Sequence, residues 1–210
     1  MFRSFTISLL SILVTATARI EGKASLENES YPLVHVRIYD YAQVSPETLA
    51  EAKRVAGSIF RRIRVEISWF DHIPNGSIGN PVEANSHGES GDRRLQLRIL
   101  NEQMTAKLPV NKTMTGLTFQ GTAEQPGKVA NVFYHRVEEL AKSKTCSEGE
   151  ILGHAVAHEL GHLLLGNLDH SSSGLMKARF GLKDLQRAAR GDLLFTEREG
   201  TLIRRVLVPN

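Results

Sequence analysis

Cysteine is nearly absent. One residue, Cys146, stands in 210, so no internal disulfide can form and the fold has to rest on its core, which a chain of this size can build. A lone thiol can be reactive or bind metal, but one placed just ahead of a predicted helix reads as a small packed residue, and it is assigned no role. Charge of one sign is also scarce. The formal net charge is +3, and about +2 without residues 1–18, whose single charge is Arg3. So weak an excess argues against a nucleic-acid partner. Residues 177–206 hold eight Lys or Arg against four Asp or Glu, which reads as solvated helical faces. There is no internal repeat and no low-complexity tract. Beyond the N-terminus no apolar run is long enough to cross a bilayer, and no stable membrane partner is expected. Hydrophobic and charged contents of 41% and 23% are those of a soluble globular chain.

The first residues differ from the rest. MFRS carries one positive charge, FTISLLSILV is apolar, and Ala16 and Ala18 form an A-x-A arrangement. That order predicts a signal peptide over 1–18 and a secreted or periplasmic protein. The alternative is an N-terminus that stays uncut and anchors the chain to a membrane. Residues 19–30 are polar and read as a flexible segment, and 31–210 as a single domain. Asn28, Asn75 and Asn111 each begin an N-x-S/T sequon.

Alternation of apolar and polar residues predicts strands over 33–41, 65–70 and 95–100, with a short one over 116–119. A fifth starts at 129 and runs toward a helix near Glu138. Ser45-Pro46 opens a helix whose Leu49, Ala52, Ala56, Ile59, Phe60 and Ile63 share one face. The strand–helix–strand order suggests a parallel pair. Residues 71–93 and 121–127 read as loops, and Trp69 and Phe70 as core. A long helix covers 150–165 and stops at Gly166. Two more are predicted near 182–195 and 196–206.

Residues 158–170 read HELGHLLLGNLDH. His158 and His162 lie one turn apart on one helix face, so both rings can point at one ion about 2 Å from each nitrogen. Glu159 sits beside them, where a carboxylate can take a proton from water. Catalytic zinc needs a third protein ligand. Gly166 permits a left-handed turn and His170 lies beyond it; Asp169, and more remotely Glu197 or Glu199, are the other candidates. His154, one turn before His158, reads as a packed or hydrogen-bonded neighbour. His35, His72, His87 and His135 are scattered and carry no assignment.

This stretch resembles the metzincin clan of zinc metallopeptidases, in its matrixin-like branch. The clan pattern is H-E-x-x-H-x-x-G-x-x-H followed by a turn containing methionine, and the chain offers His158, Glu159, His162, Gly166, His170 and then Met176 within SSSGLM. The resemblance spans most of 33–180 and is specific in 158–176. It implies an α+β fold of zincin or metzincin type: a mixed, mainly parallel twisted sheet with a backing helix, an active-site helix and C-terminal helices. It also implies one catalytic Zn²⁺ held by His158, His162 and His170, Glu159 as general base, Met176 in a structural turn, and an edge strand at GLTF that pairs with extended substrate. The chain departs from the pattern. Gly166 comes one residue late and His170 two late, and Leu168, which cannot bind zinc, stands where the third ligand is expected. Either a longer loop still delivers His170 or the site is altered; the short spacing to Met176 supports the longer loop. KARF after Met176 lacks the tyrosine of some relatives. Residues 19–30 hold no cysteine for a thiol latency switch.

The leading expectation is an exported zinc metallopeptidase, an endopeptidase acting on a peptide or protein substrate. The alternative is a non-catalytic zinc-bearing binding or structural module on the same scaffold, against which Glu159 argues. A zinc hydrolase acting on a non-protein amide is a third. Oligomeric state is not legible in the sequence.

Overall fold

The computed structural model describes residues 31–72, 93–110, 115–118 and 127–208. In β1 (Leu33–Asp40) Val34, Val36 and Ile38 are buried while Leu33 and Arg37 are exposed on the other face, the two-residue period of a half-covered strand. Ser45 Oγ accepts the Thr48 N–H at 3.1 Å and Pro46 occupies the first turn, a start worth about 1 kcal/mol. The resulting α1 (Pro46–Arg62) buries Ala52, Ala56, Ile59 and Phe60. The chain returns as β2 (Glu66–Asp71), parallel to β1. Next come β3 (Arg93–Leu100), the one-turn α2 (Glu102–Thr105), β4 (Gly116–Thr118), β5 (Val129–Phe133), α3 (Tyr134–Ala141), α4 (Glu148–Leu165), α5 (Leu182–Ala189) and α6 (Glu197–Leu207). Among the described residues the five strands form one sheet in the order β2-β1-β3-β5-β4, parallel throughout except for β4, which runs antiparallel to β5 at an edge.

Helix α4 packs against α1, α3, α5, α6 and the sheet. Ser147 and Glu150 close a capping box at its start, and its residues from Ile151 to Leu164 are buried without exception, as expected of a helix that is apolar on most sides. It packs on α1 so tightly that a Cβ at Gly153 would lie 2.8 Å from the Ala52 carbonyl oxygen. Gly166, at φ 69°, ends it in the left-handed conformation. Among the described residues no helix is long and apolar enough to cross a membrane.

Several boundaries differ from the sequence expectation for local reasons. Helix α3 begins at Tyr134 rather than near Glu138, because the Tyr134 hydroxyl reaches Glu148 at 2.9 Å and Val137 turns into the core. Helix α5 stops at Ala189: Gly191 takes φ 73°, and Leu193 and Phe195 are buried from extended chain instead. Helix α2 was invisible to periodicity, being one turn long; it rests on Asn101 Oδ1, which accepts the Met104 N–H at 2.9 Å. Phe70 is not core. It is 45% exposed on the outer face of an edge strand, its ring 5.4 Å from that of His35. The expectations for 1–18 and 19–30, most of the 71–93 and 121–127 loops, the three sequons and His87 fall outside the described residues.

Candidate metal centre

His158 and His162 project from α4, both buried. Each ring is fixed by the loop that follows the helix. His158 Nδ1–H donates to the Leu175 carbonyl at 2.8 Å, and His162 Nδ1–H to the Asn167 carbonyl at 3.0 Å. A carbonyl only accepts, so Nδ1 carries the proton in each ring and Nε2 presents a lone pair. Burial, with His162 beside it, pushes the His158 imidazole down to about 3; burial likewise lowers His162. Both rings are therefore neutral near pH 7, the form a metal requires. Their Nε2 atoms face each other at 3.1 Å. Two lone pairs aimed at one point repel unless a cation lies between them, and nitrogens in tetrahedral contact with one zinc ion stand about 3.3 Å apart.

His170 completes the group. Its ring centroid lies 4.9 Å from that of His162 and 5.4 Å from that of His158, and one nitrogen from each ring falls within 4.8 Å of the others. The three histidines thus form a group compatible with one zinc ion. The longer loop does bring His170 back to the helix. Asp169 is exposed and outside the group, Glu197 lies exposed at the start of α6, and the Glu199 carboxylate is engaged elsewhere. His170 itself is exposed, leaving an open side for a further ligand.

Glu159 is 4% exposed, and burial lifts its carboxyl to about 7 even though the Thr118 hydroxyl opposes the shift. Thr118 Oγ1 lies 2.7 Å from Glu159 Oε2 and 3.1 Å from the Glu159 carbonyl. On the other side a Cβ at Gly116 would come within 2.5 Å of Glu159 Oε1, so β4 seats the carboxylate on a residue with no side chain. Beneath the helix, Met176 is buried against Gly161, where a Cβ would meet its sulfur at 2.8 Å. Phe180 stands edge-on to His158, ring centroids 5.8 Å apart. Arg179 beside it is exposed.

No protein-family model and no curated protein sequence matches the chain. Among solved structures, a zinc-dependent peptidase from Methanocorpusculum labreanum is 15% identical over 81% of this chain and 99% of its own, with a TM-score of 0.51. The fold is that of a zinc peptidase. An archaemetzincin from Methanopyrus kandleri is 19% identical over 87% of this chain and 98% of its own, at a TM-score of 0.48. Metalloproteinase-II from Bacteroides fragilis is 10% identical over 85% of this chain and 54% of its own, at 0.45.

Within this zinc-peptidase fold, three contacts near the centre had no sequence signal of their own: the Thr118 hydroxyl on Glu159, the Ser171 hydroxyl on Glu199, and the Phe180 ring on His158. GLTF marked an edge strand but not a hydroxyl aimed at Glu159. Glu199 carried the spacing of a helix cap, as Thr196 and Glu199 three residues apart, which hid its second contact. His154 and Cys146 belong to the start of α4. His154 Nδ1 bonds the Glu150 carbonyl at 2.7 Å, and burial together with Glu150 raises the Cys146 thiol to about 12, which leaves it unreactive.

Proposed function

We propose that the protein is an exported zinc metallopeptidase of matrixin-like kind that cleaves within peptide chains, with His158, His162 and His170 as ligands and Glu159 as general base. One observation carries the reading: two buried imidazoles with lone pairs facing at 3.1 Å, beside a buried carboxylate on the same helix. A purely structural site gains nothing from that carboxylate. A zinc ion held by the three nitrogens supplies Lewis acidity, making water easier to deprotonate and a carbonyl easier to attack.

The chain's own groups do the rest. The carboxylate oxygen of Glu159 not held by Thr118 takes a proton from the attacking water. The water oxygen bonds to the carbonyl carbon, Glu159 passes the proton to the amine nitrogen, and the C–N bond breaks. Strand β4 supplies the binding edge. Phe133 N–H donates to the Thr115 carbonyl at 2.9 Å, so in the antiparallel ladder the amides and carbonyls of Gly116 and Thr118 face away from β5. An extended peptide can add to that edge as a strand. The apolar stretch and A-x-A site in 1–18 support export.

The test is hydrolysis of a mixed peptide library by the zinc-loaded protein and by Glu159→Gln. The variant should keep its zinc and lose about 10²–10⁴-fold in rate, and a chelator should stop the parent. Undiminished cleavage by Glu159→Gln would exclude the assigned base. Zinc bound with no cleavage of any peptide would favour the non-catalytic module.

A further inference from the structure

His158 and His162 each hold a loop carbonyl. Among the described residues His170 makes no such bond, and neither do Leu168 or Asp169, all three being exposed. The next fixed point is Ser171. Its N–H donates to the Met176 carbonyl at 2.8 Å, and its hydroxyl donates to Glu199 Oε1. Glu199 is 6% exposed and both of its oxygens are used, since Oε2 accepts the Thr196 N–H at 2.7 Å. A capping box needs only that second bond. The first reaches 28 residues back along the chain to the neighbour of a metal-binding side chain.

The anchor is rigid. Ile203 and Leu207 bury the inner face of α6, a Cβ at Gly200 would meet Ile63 at 2.7 Å, and Arg204 Nη1 donates to the Ile63 carbonyl at 3.1 Å. The 167–175 loop is also tied nearby, where the Leu175 N–H donates to the Leu194 carbonyl at 2.8 Å. A loop with three consecutive exposed residues loses entropy when its histidine is held in place, and a tether on the adjacent residue meets that cost before the ion arrives. Hydrogen bonds just outside a metal's ligands act on affinity in this way.

We infer that Glu199 is a positioning residue for His170: through the Ser171 hydroxyl, α6 sets where the third ligand stands and so how tightly the centre holds zinc. This rests on the three-histidine centre proposed above and extends it to a residue that touches no ligand. A role confined to capping α6 would lower the stability of the metal-free chain and leave zinc affinity unchanged.

The experiment measures zinc affinity of the full chain by competition with a chromophoric chelator at pH 7, beside the melting temperature of the metal-free protein. Ser171→Ala should weaken zinc binding about 10–100-fold. Ser171→Thr, which keeps the hydroxyl, should stay within about threefold. Glu199→Gln retains a capping side chain but offers Ser171 a neutral acceptor, and should fall between them. The double variant Ser171→Ala/Glu199→Gln should bind no more weakly than Ser171→Ala, since both changes break one link. Zinc binding by Ser171→Ala within twofold of the parent, or effects of the two changes that multiply, would overturn the inference. If Ser171→Ala fails to fold, Glu199→Gln against Ser171→Thr decides the matter alone. The peptidase reading fails separately: weakened zinc binding with no cleavage by the parent sinks that reading and leaves this inference standing. A parent that binds no zinc overturns both.

Discussion

Gly116→Ala adds one methyl group where β4 meets the Glu159 carboxylate. The new Cβ would lie 2.5 Å from Glu159 Oε1 and 2.6 Å from the Asn131 carbonyl oxygen, against the 3.0 Å that real Cβ atoms respect. About half an ångström must therefore be found. Neither side yields easily. Asn131 O is backbone on β5, and Asn131 is itself buried, with its Nδ2 donating to the Leu117 carbonyl at 3.0 Å. Glu159 is pinned at its other oxygen by Thr118. Either β4 moves off β5 or the carboxylate swings away from its seat. Overpacking of this kind costs about 1–3 kcal/mol, and since a misplacement of about 1 Å costs on the order of 10²-fold in rate, a base displaced by about half that loses on the order of 10-fold. The three histidines are untouched, so zinc should stay. The assay is kcat and KM on a cleaved peptide, zinc per chain and melting temperature in the same preparation. The expected pattern is a fall in kcat and in melting temperature with one zinc retained. A kcat within twofold of the parent at an unchanged melting temperature would refute the argument that β4 seats Glu159.

Thr118→Val removes the hydroxyl that holds Glu159 Oε2 while keeping the side chain's shape; kcat should drop about 10–100-fold, Thr118→Ser should recover most of it, and equal activity in the valine and serine variants would show that the hydrogen bond does not orient the base. Asp184→Asn tests the loop beyond Met176, where Lys177 Nζ lies 2.5 Å from Asp184 Oδ2 and the Gly181 N–H donates to the same oxygen at 3.0 Å. Burial acts to raise the Asp184 carboxyl, but Lys177 and the Gly181 N–H outweigh it and the net shift is downward. A lowered carboxyl stabilises the fold above its unfolded value, about 4, and that contribution disappears as pH falls through the folded value. Urea midpoints of the metal-free protein should show the variant less stable by about 1–2 kcal/mol from pH 7 to 5, toward the lower figure because Lys177 is partly solvated. The gap should close below about pH 4; a gap that widens there would reverse the assignment.

Most of the fold was legible because its elements are periodic. Val34, Val36 and Ile38 announce β1, and Ser45-Pro46 with Ala52, Ala56 and Phe60 announce α1. Elements held by single side chains were not legible, such as the turn at Asn101 or the early start of α3 on Tyr134. At the centre, His158, Glu159 and His162 could be read from helical spacing alone. His170 could be named but not placed, since its position depends on a turn at Gly166 and on tethers from Met176 and Glu199 that lie 6 and 29 residues further along the chain. Thr118 meets Glu159 across 41 residues, and no local pattern encodes so distant a pairing.

Zinc per chain in the purified protein, measured beside His170→Ala, tests the central claim most directly. The three-histidine centre predicts one zinc in the parent and a large loss in the variant, with His158 and His162 too few to hold the ion against a competing chelator. Zinc retained in full by His170→Ala, or no zinc in the parent after reconstitution, would contradict it.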